Sequence, residues 1–189
     1  MLYYFAQETS HPAASQEDDT ANGPADEEPV ADAELSSWCG WHNDHGSLTG
    51  LAPAMYFDRD GNRIACPDEQ AGLYIRSRDG NVYRVRAQTD WMLFQIGETA
   101  QIHSAGLLQA TPHSVRASSV PGVSRATYAV FMEPEWGEPM TVPEGADKDR
   151  VLRGARGELL PPGVPALHGR WEDTMDFSQF TSKTLESYY

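Results

Sequence analysis

Apolar side chains along this chain come in short runs divided by turn residues, and the runs are rich in aromatic and branched types. Such runs mark short strands rather than helices. Met1 to Phe5 is an aromatic-rich strand. Trp38 to Asp44 is the next, and Ser47 to Leu51 leads into another at Ala54 to Phe57. Gly72 to Ser77 and Asn81 to Val85 flank the turn signal Asp79-Gly80, just as Asp60-Gly61 marks an earlier hairpin and Ile64 to Gln70 a loop tip. Trp91 to Ile96, Leu107 to Gln109, Ser114 to Ala117 and Ser124 to Met132 complete the series, with the run Trp91-Met92-Leu93-Phe94 expected in the core. Strands this short and this regularly spaced predict a mainly β protein, an antiparallel double sheet of jelly-roll type.

Two stretches break the pattern. Gln7 to Leu35 is full of Ala, Pro, Ser, Glu and Asp with almost no large apolar side chain, so it cannot offset its own ordering entropy. It is expected to be a disordered acidic insertion between two barrel strands. Beyond Pro134, the segment Pro139 to Pro165 holds five prolines and reads as an extended loop with a brief helix near Asp147 to Arg153. Asp176 to Tyr188 places Phe177, Phe180, Thr184 and Tyr188 on one face, which predicts a short amphipathic helix packed outside the barrel. The expected division is a jelly-roll core over 1–136 and a Pro-rich loop plus C-terminal helix over 137–189.

Charge changes this picture little. The formal charge is −14, but Gln7 to Leu35 holds nine acidic residues and no Lys or Arg, which leaves only about −5 on the rest. No cluster of Lys or Arg offers itself to phosphates, so nucleic acid is not an expected partner. No apolar run reaches the length of a membrane span, and Met1 to Ala6 is too short for a signal peptide, so the default location is cytoplasmic. The two cysteines, Cys39 and Cys66, are too few for a secreted disulfide scaffold.

Candidate chemistry gathers at three places. His42 and Asp44 stand two apart, on one face if the chain there is extended. His113 lies about seventy residues on at a strand-like edge, and Arg125 and Thr127 form a second i, i+2 pair. Two His and one carboxylate leave three positions open on an octahedral metal, as in non-haem Fe(II) oxygenases. A nearby Arg suits a carboxylate, which its rigid fork binds bidentately. Competing readings are weaker. Cys39, three residues before His42, lacks a second pair for zinc. Asp58 to Asn62 has Gly in the wrong place for an EF-hand. No H-E-x-x-H supports a zinc hydrolase.

The run from Trp41 to Phe131 resembles the catalytic core of the isopenicillin N synthase-like group of Fe(II)- and 2-oxoglutarate-dependent dioxygenases. His42 to Leu51 (HNDHGSLTGL) is similar to that family's HTDHGxLTLL. Gly72 to Gly80 is similar to GLQVRxxDG, Phe94 to Glu98 to VNIGD, and Gly106 to His113 to NGRFxSTPH. The resemblance implies a double-stranded β-helix with Fe(II) on His42, Asp44 and His113, the catalytic residues. It also implies 2-oxoglutarate as co-substrate, its far carboxylate on Arg125 with Thr127 donating a hydrogen bond. The reaction implied is oxidation of a small organic substrate by O2, giving succinate and CO2. Thr127 replaces the usual Ser, Ser114 the usual Arg, and Ala110 the usual Ser. Phe5 falls where a co-substrate-binding Tyr is expected, leaving that bond to Tyr3 or Tyr4 or to nothing. Family-like text begins almost at Met1, so the chain is expected to be naturally short or to lack a front region. An inactive metal-binding barrel that recognises a ligand or partner is the alternative. Substrate, reaction type and oligomeric state are not legible.

Overall fold

The structure is a computed structural model that describes residues 1–7, 37–153 and 160–188. The acidic insertion expected over 7–35 lies, apart from Gln7, outside the described residues. Eleven strands and three helices run in chain order as β1 (Leu2–Tyr4), β2 (Ser37–His42), β3 (Leu48–Leu51), β4 (Met55–Phe57), β5 (Arg63–Ile64), β6 (Gly72–Arg76), β7 (Val82–Arg84), β8 (Leu93–Ile96), α1 (Glu98–His103), β9 (His113–Arg116), β10 (Ser124–Thr127), β11 (Ala129–Met132), α2 (Lys148–Arg153) and α3 (Phe177–Tyr188).

Every strand pairing is antiparallel. One layer is β2-β9-β6-β7; facing it are β1-β10-β4-β5 and β11-β3-β8. The last two are one bent layer in covalent terms. The chain passes from β10 to β11 through Tyr128 and from β3 to β4 through Ala52-Pro53-Ala54, and the Ala52 N–H donates to the Tyr128 carbonyl at 2.9 Å. Pro53 has no N–H for the ladder, which is why the strand breaks there. This is the double-layered jelly roll that the strand pattern predicts. Both predicted hairpins are present, with Gly61 at φ 80° and Gly80 at φ 86°, the left-handed values their turns require.

Three expectations need correction. Leu107 to Gln109 is not a strand: Ala105 (φ 49°) and Gly106 (φ 73°) both turn left-handed after α1, so the chain there is a turn. Helix α1 itself has no counterpart in the expected elements. The run Trp91 to Phe94 is not core, since Trp91, Met92 and Phe94 are half or more exposed. On a strand only alternate side chains face inward, and here it is Leu93 that does so. Val130, Gly50 and Phe94 form one cross-strand row on the other face.

Helix α3 matches its prediction. Phe177, Phe180 and Thr184 are buried, the two Phe in a cluster with Ile102 of α1, Val151 of α2, Met140, Leu167 and Trp171. The irregular chain after Pro134 therefore folds around a small helical core beside the barrel. No helix among the described residues is long and apolar enough to cross a membrane.

Candidate metal centre

His42 ends β2 and His113 begins β9, and the antiparallel register sets them directly opposite each other. Their ring centroids are 4.0 Å apart. Asp44 lies beyond the end of β2, so its approach comes from the loop rather than from the i, i+2 rule of a strand. Its Oδ1 is 3.9 Å from His42 Nε2 and 3.7 Å from His113 Nε2, and one donor atom from each residue falls within 4.8 Å of the others. The N-terminus of α1 fixes the loop. Glu98 N–H donates to the Asp44 carbonyl (2.8 Å), Thr99 N–H to that of His45 (3.2 Å), and Gly97 N–H to that of Ser47 (3.1 Å). Gly97 is required here, because a Cβ would lie 2.0 Å from the Gly46 carbonyl oxygen.

The remaining atoms of the three residues are already engaged in ways that suit a cation. Nδ1 of His42 lies 2.8 Å from the Gly40 carbonyl, and Nδ1 of His113 lies 3.1 Å from that of Thr111. A carbonyl can only accept, so Nδ1 of each ring donates to the backbone, and each ring in its neutral form would present Nε2 on the Asp44 side, the outer-partner arrangement that orients metal-binding imidazoles. Asp44 Oδ2 accepts from Thr49 Oγ1 (2.6 Å) and Gln95 Nε2 (3.2 Å), which leaves Oδ1 for an ion. Gln95 Nε2 also lies 2.5 Å from Nδ1 and 2.8 Å from Nε2 of His113, so it lies against the ring and would have to give way for an ion to reach Nε2. Burial and the facing His42 ring push His113 down to about 4. Burial also acts downward on His42, but the Cys39 side chain, the Gly40 carbonyl and Asp44 outweigh it and raise the ring to about 9. Cys39 Sγ approaches the already committed Nδ1 at 3.7 Å, so it tunes the ring rather than extending the ligand set.

A cavity of about 370 Å³ opens from the three residues into the space between the layers, and Tyr4, Arg125 and Thr127 line it. Arg125 is 5% exposed, yet its Nε and Nη1 have no hydrogen-bond partner. Orphaned donors on a buried cation are costly unless a ligand completes them, and a carboxylate fits that fork. Thr127 Oγ1 donates to the Ala52 carbonyl at 2.7 Å, so in this state its hydrogen is committed and its lone pairs face the cavity.

The β1–β10 register resolves the aromatic ambiguity near the start of the chain. Tyr4 pairs with Arg125, whose guanidinium carbon lies 5.3 Å from the Tyr4 ring centroid. Tyr3 donates its phenol to Ser124 Oγ at 2.8 Å. Phe5, assigned above to the co-substrate position, is 79% exposed and points away. Sequence reasoning also passed over Gln95 and the buried Glu98–Arg170 pair. Gln95 shares the inward parity of Leu93, a signal that was available once β8 was placed. Of the remaining histidines among the described residues, His45 stacks on Phe177 at 5.8 Å and His103 Nε2 meets the Pro139 carbonyl at 3.0 Å.

No family profile matches the sequence. Over 107 residues the chain is 34% identical to the UPF0676 protein C1494.01 of Schizosaccharomyces pombe, a match covering 54% of this chain and 28% of that protein. Among solved structures, a full-length Neurospora crassa protein in complex with alpha-KG superposes with a TM-score of 0.52 at 17% identity over 81% of this chain and 38% of that one. The rice dioxygenase for auxin oxidation gives 0.51 at 20% identity over 80% and 41%. The chain thus spans well under half the length of the proteins it matches. With these neighbours and this topology, the chain has the jelly-roll fold of the 2-oxoglutarate/Fe(II) oxygenases.

Proposed function

We propose that the chain is the catalytic core of a 2-oxoglutarate/Fe(II)-dependent dioxygenase acting on a small organic molecule. The observation that carries this reading is the junction, in one cavity, of a His-Asp-His cluster with an arginine whose buried Nε and Nη1 lack partners. His42, Asp44 and His113 would hold Fe(II). When bound, the iron with 2-oxoglutarate and O2 supplies a two-electron oxidation of the substrate, releasing succinate and CO2. Arg125 would receive the far carboxylate of 2-oxoglutarate on Nε and Nη1, with the Tyr4 phenol beside it, and Thr127 would donate to the same carboxylate once its hydroxyl hydrogen turns from the Ala52 carbonyl. The carbonyls of Gly40 and Thr111 keep both imidazoles in the tautomer that presents Nε2, while Thr49 and Gln95 hold Oδ2 of Asp44 and so keep Oδ1 turned toward the two rings.

The alternative, a catalytically inactive barrel, draws its support from the Phe5 departure. That ground weakens once Tyr4 faces Arg125, and a barrel that only held a metal would have no use for the partnerless Nε and Nη1 of Arg125 in the same cavity. The test is an anaerobic Fe(II) titration with 2-oxoglutarate, read by the visible charge-transfer band of the chelated complex, in wild type and Arg125→Ala. A band in wild type that needs far more 2-oxoglutarate in the variant supports the reading. Iron binding without a band would favour the inactive barrel.

A further inference from the structure

Asn43 lies between the two candidate ligands of the loop, and its side chain turns away from the cavity into a buried polar chain. Its Nδ2 donates to Glu98 Oε1 at 3.1 Å, and its backbone N–H donates to the Tyr188 phenol at 3.3 Å. Glu98 is 2% exposed and holds the next residue too, because its own N–H donates to the Asp44 carbonyl at 2.8 Å. The carboxylate is in turn gripped by Arg170, whose Nη1 donates to Oε2 (3.0 Å) and Nη2 to Oε1 (2.7 Å). Arg170 also donates to Thr184 Oγ1 in α3 and to the carbonyls of Ala166 and Pro165. Each of its three nitrogens therefore has a protein partner. This contrasts with Arg125, equally buried but with Nε and Nη1 unpartnered. A satisfied buried fork fixes shape, whereas an unsatisfied one awaits a ligand.

We propose that Arg170, Glu98 and Asn43 form a positioning relay by which the C-terminal segment sets the approach of His42 and Asp44 to the metal. The relay rests on the reading of His42, Asp44 and His113 as metal ligands. A rotation of the peptides at Asn43 would move both neighbouring ligands, and the Asn43 amide makes only the bond to Glu98, its Oδ1 having no partner. Loss of that donor therefore frees the loop without exposing a new buried charge, since Glu98 keeps both bonds from Arg170. Neither Glu98 nor Arg170 lines the cavity; the Glu98 carboxylate, gripped by Arg170, acts through the Asn43 side chain, while the Glu98 N–H holds the Asp44 carbonyl directly.

Co(II) serves as the probe, because its visible d–d bands report coordination geometry as well as affinity and need no turnover. Wild type, Asn43→Ala, Asn43→Asp and the control Ser182→Ala on the exposed side of α3 are titrated, with circular dichroism establishing that each is folded. Asn43→Ala is expected to bind Co(II) about 10-fold or more weakly, the usual loss when an outer partner is removed, and with altered d–d bands. Asn43→Asp keeps the shape but sets a carboxylate against Glu98, so it is expected to bind no better than Asn43→Ala. Ser182→Ala is expected to match wild type. Should Asn43→Ala fold poorly, Tyr188→Phe, which removes the acceptor of the Asn43 N–H, is expected to give a smaller loss in the same direction. Wild-type affinity and bands in Asn43→Ala, or in Tyr188→Phe where that variant is the one read, would overturn the relay alone. Failure of wild type to bind Co(II) would overturn the metal reading, and the relay with it.

Discussion

Replacing Arg125 with Met separates an anchor held ready for a ligand from an ordinary structural arginine, because the two predict opposite signs of stability change. In the structure two nitrogens of a guanidinium that is 5% exposed lack partners. Each unsatisfied buried group is destabilising by about 1–3 kcal/mol. Met fills similar volume without polar atoms, so both penalties disappear. Against this stands the contact with the Tyr4 ring, worth roughly 0.5–2 kcal/mol. The net expectation is a metal-free variant about 1 kcal/mol more stable than wild type, which for a chain of this size raises Tm by about 2–4 °C. Binding moves the other way. Losing two charge-assisted bonds of about 1.5–3 kcal/mol each weakens 2-oxoglutarate by at least about 100-fold. At 2-oxoglutarate near 100 times its Kd, wild type gains about 2.7 kcal/mol that the variant lacks. Thermal melts with metal, run with and without 2-oxoglutarate, are expected to cross: the variant melts higher alone and lower with the co-substrate. A variant that melts several degrees below wild type without 2-oxoglutarate, or that gains as much from it, would refute the reasoning.

Other perturbations test other parts of the site and its support. Gly97→Ala places a methyl group within 3.0 Å of backbone at both Gly46 and Asp44, where nothing flexible can yield; urea melts are expected to show about 1–3 kcal/mol of destabilisation, and Co(II) titration a weaker site. Tyr4→Phe is expected to weaken 2-oxoglutarate by about 10-fold, one hydrogen bond's worth, while leaving Co(II) affinity unchanged; Tyr3→Phe, bonded to Ser124 on the outward side, is expected to leave both unchanged. Phe180→Ala, at 0% exposure, is expected to lower stability by about 3–5 kcal/mol, against less than about 0.5 kcal/mol for the exposed Leu185→Ala, both read from urea midpoints.

The parts legible in the sequence are those set by local pattern. His42, Asp44, His113 and Arg125 can be picked out as candidates because each sits in a short stretch that resembles a family's motif, and the structure brings all four to one cavity; the strands are legible because short aromatic and branched runs and Asp-Gly turns are local signals. What escaped depends on distant contacts. Helix α1 has only six residues, too few for a helical period, and its N-terminus is held by carbonyls of residues 44–47, some fifty positions earlier in the chain. The choice between Tyr4 and Phe5 is a question of parity, and Leu2-Tyr3-Tyr4-Phe5 is apolar on both faces, so only the pairing with β10 decides it. The error at Trp91 to Phe94 has the same root: an apolar run on a strand cannot say which alternate residues face the cavity. Glu98 and Arg170, 72 positions apart, leave no trace in either neighbourhood.

The division of labour between the two cores explains why the site stands where it does. The barrel's buried residues include Thr49, Gln95, His113, Arg125 and Thr127, side chains that line a cavity rather than fill one. Such an interior gives up packing energy, and on the proposed function part of what it lacks would be restored when metal and co-substrate bind. The helical cluster of Phe177, Phe180, Ile102, Met140 and Leu167 is apolar and almost fully buried. The loop after β2 that carries Asn43 and Asp44 lies between the two cores, beside His113 of β9 on one side and held on the other by α1 and, through Glu98, by Arg170. Loading the site should therefore stiffen the barrel strands far more than α3. In hydrogen exchange with and without Co(II) and 2-oxoglutarate, protection should rise in β2, β9 and β10 while the amides of α3, already protected, change little; equal gains in both would mean that the two cores open as one unit.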